Sequence, residues 1–167
     1  MSLQAINPQS LVTELYGRRL RVRVCGLYRE NDRLLMVKHR GVGTSDTFWS
    51  PPGGGIEYGE TAGTALRREI REETGLIVDP GRLVCINEFV KPPLHAIELF
   101  FEVQRVGGQL VVGADPEMND TEQIILDVQL MTFGQIKALP PDTVHSLFSR
   151  CHSLGELFSL NGYITQQ

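Results

Sequence analysis

The segment that most constrains this chain is residues 53–76, GGGIEYGETAGTALRREIREETGL. Three consecutive glycines cannot propagate a helix or a strand cheaply, so they specify a loop whose backbone can approach a partner closely. From Thr61 the apolar period becomes helical and holds to Thr74, with Thr61 as the N-cap and Gly75 as the left-handed C-cap. On a wheel of about 100° per residue, Ala62, Ala65, Leu66 and Ile70 share one face that ought to be buried. Glu69 and Glu73 point the same way, Glu72 flanks them, and Arg67 and Arg71 lie on the opposite face.

A solvated face with helical salt bridges accounts for the arginines and for the Arg68/Glu72 pair, which is worth about 0.2–0.5 kcal/mol. It does not account for Glu69 and Glu73. These are like-charged i, i+4 neighbours aimed at a core, and they cost stability both through repulsion and through desolvation. Something cationic has to compensate them. Hard carboxylate oxygens with no His or Cys beside them suit Mg²⁺, with Mn²⁺ as a substitute, and the glycine loop lets a backbone carbonyl reach the same ion. Mg²⁺ is commonly shared with substrate phosphates, which points to phosphate chemistry.

The rest of the chain sets the frame. At 167 residues, with 16 Lys+Arg against 20 Asp+Glu, it has the size of one domain, expected to span 1–167, and its charge argues against an extended nucleic-acid surface. No stretch approaches a membrane span and no signal-like leader is visible, so a cytoplasmic location is expected. Cys25, Cys85 and Cys151 are widely spaced and read as reduced core thiols. Leu20, Val22 and Val24 alternate with Arg19, Arg21 and Arg23, which predicts a strand with one apolar and one basic face. A turn at Asn31-Asp32 then leads to a strand over 34–39, and the two are expected to pair as an antiparallel hairpin. Phe48-Trp49-Ser50 reads as a short strand stopped by Pro51-Pro52. Further strands are expected over 83–90, 96–106 and 126–131, with breaks at Pro80-Gly81 and Pro92-Pro93. Thr132 should cap a short helix, and Asp142 a last helix carrying Val144, Leu147, Phe148 and Cys151. The fold class is α+β, a mixed sheet packed with helices.

Residues 54–76 resemble the Nudix box: Gly, five residues, Glu, seven residues, then Arg-Glu-apolar-any-Glu-Glu-any-Gly-apolar. Gly54, Glu60, Arg68, Glu69, Ile70, Glu72, Glu73, Gly75 and Leu76 fill every defined position. A chance match is on the order of 10⁻⁹ per window at ordinary residue frequencies. Two local departures are Pro51, where an apolar residue is usual, and Gly63 within the helix.

The resemblance implies a Nudix fold, a mixed β-sheet sandwiched between α-helices, and hydrolysis of a nucleoside diphosphate linked to another group. It implies that Glu69, Glu72 and Glu73, with the carbonyl of Gly54, hold the metal, and that Glu60 pairs with Arg68 at the junction of loop and helix. The general base is expected at Glu73, with Glu72 close behind, or on the later loop over 113–122, at Glu122. Arg21, Arg23 and Arg40 are candidates to clamp phosphates, with Arg23 and Arg40 the chosen substrate-binding pair. Phe48, Trp49 and Tyr58 are candidates to stack a base, while His39 and His95 read as ordinary residues. The prolines at 92–93 lie where the family places one in ADP-ribose hydrolases. Nucleoside triphosphates, and a non-catalytic nucleotide-binding module, stay open as alternatives. The small-molecule nucleotide is the expected partner, and whether the C-terminal apolar residues pack on the sheet or on a second subunit of a homodimer is left open.

Overall fold

The computed structural model describes residues 13–14, 16–40, 46–113 and 124–165. The strands are β1 (Leu20–Leu27), β2 (Arg29–Glu30), β3 (Arg33–Arg40), β4 (Thr47–Ser50), β5 (Gly53–Gly55), β6 (Leu76–Lys91), β7 (Leu94–Gly108), β8 (Ile125–Thr132) and β9 (Tyr163–Thr165). The helices are α1 (Ala62–Thr74), α2 (Phe133–Lys137) and α3 (Leu154–Ser159), with 3-10 turns at Pro141–Thr143 and Ser146–Arg150. One sheet runs β5-β1-β7-β6-β9 and is mixed, because β1 lies parallel to β7 and antiparallel to β5. The other joins β2, β3 and β4, with β8 along the remaining edge of β3.

Alternation along the central strands divides the apolar residues between two cores. Val24, Leu35 and Val37 pack with Ala65, Leu66 and Ile70 of α1. Cys25, Leu34 and Met36 face the other way, against Ile136, Leu147, Phe148, Leu154 and Leu157. Sheet strands buried on both faces, with α1 on one side and the short C-terminal helices on the other, form the sandwiched α+β arrangement. Gly26 marks where β1 crosses α1 most closely, since a Cβ there would lie 2.4 Å from Ile70 Cδ1.

Three expectations are corrected. Strands β1 and β3 do not form a hairpin, because β5 and β7 occupy both edges of β1; only the short β2 pairs with β3 around the Asn31 turn. Pro80-Gly81 does not end a strand: β6 runs through it, with shifts of register against β7 absorbing the missing donor. The last helix is broken, since Val144 bridges Trp49 and the His145 N–H is donated to the Trp49 carbonyl at 2.9 Å. Those backbone groups pair as a strand does, and helical continuation is lost. Leu147, Phe148 and Cys151 are nonetheless buried in the chain's own core. The three cysteines are free and buried. Among the described residues, no helix is long and apolar enough to cross a membrane.

Candidate active site

Helix α1 delivers the acidic cluster. Thr61 Oγ1 accepts from the Thr64 N–H at its start, and at its end Gly75, with φ of 72°, donates its N–H to the Arg71 carbonyl. Between these caps the helix buries Ala65, Leu66, Ile70, Glu73 and Thr74. Glu73 is 7% exposed. Its Oε2 accepts the Gly53 N–H at 2.8 Å and its Oε1 lies 3.1 Å from His39 Nε2. His39 is thus not the ordinary residue expected of it: its pairing with a carboxylate 34 residues away leaves no local signal in the sequence.

Arg68 organises the turn between loop and helix. Its guanidinium donates twice to Glu60, at 3.0 and 2.9 Å, and also to the Gly55 carbonyl, to Glu69 at 2.9 Å and to Glu72 at 3.3 Å. The bidentate contact lowers the Glu60 carboxyl from its ordinary value. Burial, then the charge of Glu73, pushes the Glu69 carboxyl up to about 7. A Cβ on Gly54 would lie 2.2 Å from that carboxylate, so the glycine lets the backbone lie against it.

These residues suit a divalent cation by type: hard oxygens only, and a like-charged pair, Glu73 buried and Glu69 partly so, whose repulsion a cation would relieve. In the present arrangement Arg68 lies between Glu69 and Glu72, and among the described residues no three His, Cys, Asp or Glu side chains converge at ligand spacing.

The cluster borders a cleft of about 930 Å³. Strand β1 enters it with its arginines, since the alternation runs opposite to a solvated basic face: Leu20 and Val22 are exposed, while Arg21 and Arg23 turn inward. Arg23 Nη2 donates to the Gly53 carbonyl at 3.2 Å, and its Nε lies 3.7 Å from Glu98 Oε1. Burial works to raise Glu98, but His145, Arg23 and Asn87 outweigh it and hold its carboxyl at about 2. Asn87 and His145 each contact Glu98 Oε2 at 2.9 Å. The Leu147 N–H points at His145 Nδ1, which assigns the ring proton to Nε2, facing Glu98. Glu98, Asn87 and His145 carried no motif, and only the pairing of distant strands reveals them.

The other expected residues scatter. Arg40 is exposed at the end of β3 and does not line the cleft. Phe48 lines it, Trp49 is buried in the core and Tyr58 is fully exposed; Phe89, which no local pattern singles out, contributes to the wall. His95 pairs with Glu88 at 3.0 Å, away from α1. Glu122 lies outside the described residues.

A family model described as the NUDIX domain matches residues 17–148. An ADP-ribose pyrophosphatase of Methanocaldococcus jannaschii is 34% identical over 96 residues, covering 56% of each chain. The 8-oxo-dGDP phosphatase NUDT18 of Mus musculus is 32% identical over 120 residues, 69% of this chain and 36% of that one. The chain thus spans about half or less of the length of these curated relatives. A NUDIX hydrolase structure from Nitrosomonas europaea superposes with a TM-score of 0.61 at 24% identity, covering 80% of this chain and 86% of that one, and shares its fold. With the box residues gathered on α1 and its preceding loop, and the family match spanning both sheets, the chain belongs to the Nudix family.

Proposed function

We propose that this protein is a Mg²⁺-dependent hydrolase that cleaves the pyrophosphate bond of a nucleoside diphosphate linked to another group, of the ADP-ribose kind. The observation that carries the reading is the carboxylate set at the edge of a large cleft, with Glu73 and Glu69 held against the glycine loop and Glu72 tied to Arg68 beside them. Those carboxylates and the Gly54 carbonyl would hold Mg²⁺, with Mn²⁺ as a substitute. When bound, the ion neutralises the diphosphate and makes a bound water more acidic. Arg23, beside Gly53, orients a phosphate at the same place. Of the two base candidates on α1, Glu73 has both oxygens engaged by Gly53 and His39, whereas Glu72 is partly exposed with Arg68 as its partner. Glu72 is therefore the better placed to take a proton from water, and Glu73 serves the metal. The ADP-ribose preference draws on the similarity to an enzyme named for that substrate.

A panel of ADP-ribose, UDP-sugars and nucleoside triphosphates, assayed with Mg²⁺ and with EDTA, tests the reading. Wild type should hydrolyse a diphosphate-linked compound only with metal, and Glu69→Gln and Glu72→Gln should each lose on the order of 10²-fold or more in kcat. No turnover of any compound, or equal rates in the variants, would reject it. Preferential cleavage of triphosphates would replace the substrate class and leave the metal site standing.

A further inference from the structure

The cleft floor is laid down by strand register. On β1, Arg21, Arg23 and Cys25 share one face; Arg23 stands opposite Glu98 and Arg21 opposite Ala96, and on β6 the same rows continue as Asn87 and Phe89. Cys25 and Phe100 below them belong to the core. Arg21 and Arg23 therefore stand as neighbours on one face of β1, their backbones about 7 Å apart at two residues of strand rise, with Cys25 and Phe100 next in the same rows.

Their charges are unequally answered. Arg23 has Glu98 and the Gly53 carbonyl. Arg21 has a cation–π contact, 4.7 Å from the centre of the Tyr16 ring, and no ion pair with a described carboxylate at salt-bridge distance. The Nε atoms of both arginines are buried and lack any hydrogen-bond partner among the described residues. A buried donor left without an acceptor destabilises the fold, more so when it is charged, so an acceptor entering the cleft would be favoured there. Burial, then Arg23, lowers the Arg21 guanidinium to about 10, consistent with a cation short of a counter-charge. Ala96, across the strand from Arg21, lines the same cleft as Phe89 and Phe48.

Position separates the two arginines in role. Gly53 touches both Glu73 and Arg23, so Arg23 is within reach of a diphosphate held at α1. Arg21 is one strand repeat further along β1, beyond the same phosphate. We propose that Arg21, supported by Arg23, forms a subsite for a second anionic group of the substrate, a phosphate monoester or carboxylate carried by the organic part of the molecule. This rests on the hydrolase reading only for where the diphosphate lies. The fork of a guanidinium matches either anion in a bidentate fashion.

Two matched pairs test it: ADP-ribose against its 2′-phosphate, and UDP-glucose against UDP-glucuronate. The first pair probes phosphate and the second carboxylate. Wild type should favour the anionic member of at least one pair by about 10-fold or more in kcat/KM. Arg21→Gln should erase that ratio and Arg21→Lys should keep part of it as a point charge, which separates charge recognition from a folding defect. Equal use of both members by wild type, or a ratio that survives in Arg21→Gln, overturns the proposal. If no compound is turned over, the hydrolase reading fails, and calorimetry in EDTA still decides the subsite. Tighter binding of the anionic member in wild type but not in Arg21→Gln supports it, and equal binding in both overturns it.

Discussion

Glu73 shows what a single buried carboxylate needs. Helical periodicity aims it at the core, and two donors from elsewhere hold it there: the Gly53 N–H at 2.8 Å and His39 at 3.1 Å. Partners behind a ligand fix its orientation, and losing one commonly costs about 10–100-fold in metal affinity. His39→Leu, which keeps bulk but no donor, should weaken Mn²⁺ binding by about 10-fold, and His39→Gln should restore most of it. Titration of Mn²⁺ followed by electron paramagnetic resonance reads this without turnover; equal affinity in both variants would show that His39 only packs. The acidic residues themselves were legible in the sequence, because i, i+3 and i+4 spacing sets their common face. His39 was not, because nothing local distinguishes it from any other strand histidine.

At the scale of an element, α1 is specified by its own ends. Thr61 and Gly75 were readable as caps, and both serve as caps. Gly75 does more than end the helix: a Cβ there would lie 2.5 Å from the Gln109 carbonyl oxygen and 2.6 Å from Val111 Cγ2, at a φ of 72°. Left-handed strain plus backbone overlap predicts that Gly75→Ala destabilises the fold by about 1–3 kcal/mol, measured by urea unfolding. A loss below about 0.5 kcal/mol would mean that the β7 end relaxes freely. Strand β1 teaches the opposite lesson. Its alternation was plain, yet the apolar positions Leu20 and Val22 are exposed and the arginines line the cleft. A period of two separates faces without saying which one is inward; that is settled by the strands on either side and the helices above.

Across the whole molecule, two carboxylates, the buried Glu98 and the partly buried Glu69, act on stability in opposite directions. Glu98, held at about 2 against an ordinary 4.5, binds fewer protons folded than unfolded, so its contribution is present above pH 4.5 and is lost as pH falls toward 2. Glu69, raised to about 7 from 4.5, binds more protons folded than unfolded, so without metal its contribution is fully present below pH 4.5 and is lost as pH rises through 7. Either term is at most about 3 kcal/mol. Urea unfolding in EDTA should therefore show stability declining between about pH 4.5 and 7, the range set by the raised Glu69 carboxyl. Mg²⁺ should remove most of that decline, and Glu69→Gln should lack it. A decline unchanged in Glu69→Gln would assign it to other groups. The acidic helix, its caps, the carboxylate cluster and the family pattern were determined by the sequence alone. Helical geometry fixes neighbours within a few residues, and a contiguous stretch of chain carries all the information. The tertiary structure decided which side chains of the outer half of β1 are exposed and which turn inward, where the C-terminal helix breaks, and which distant partners meet Glu73 and Glu98. His39 meets Glu73 across 34 residues and His145 meets Glu98 across 47, and contacts at such separations depend on strand order and register, which no local period encodes.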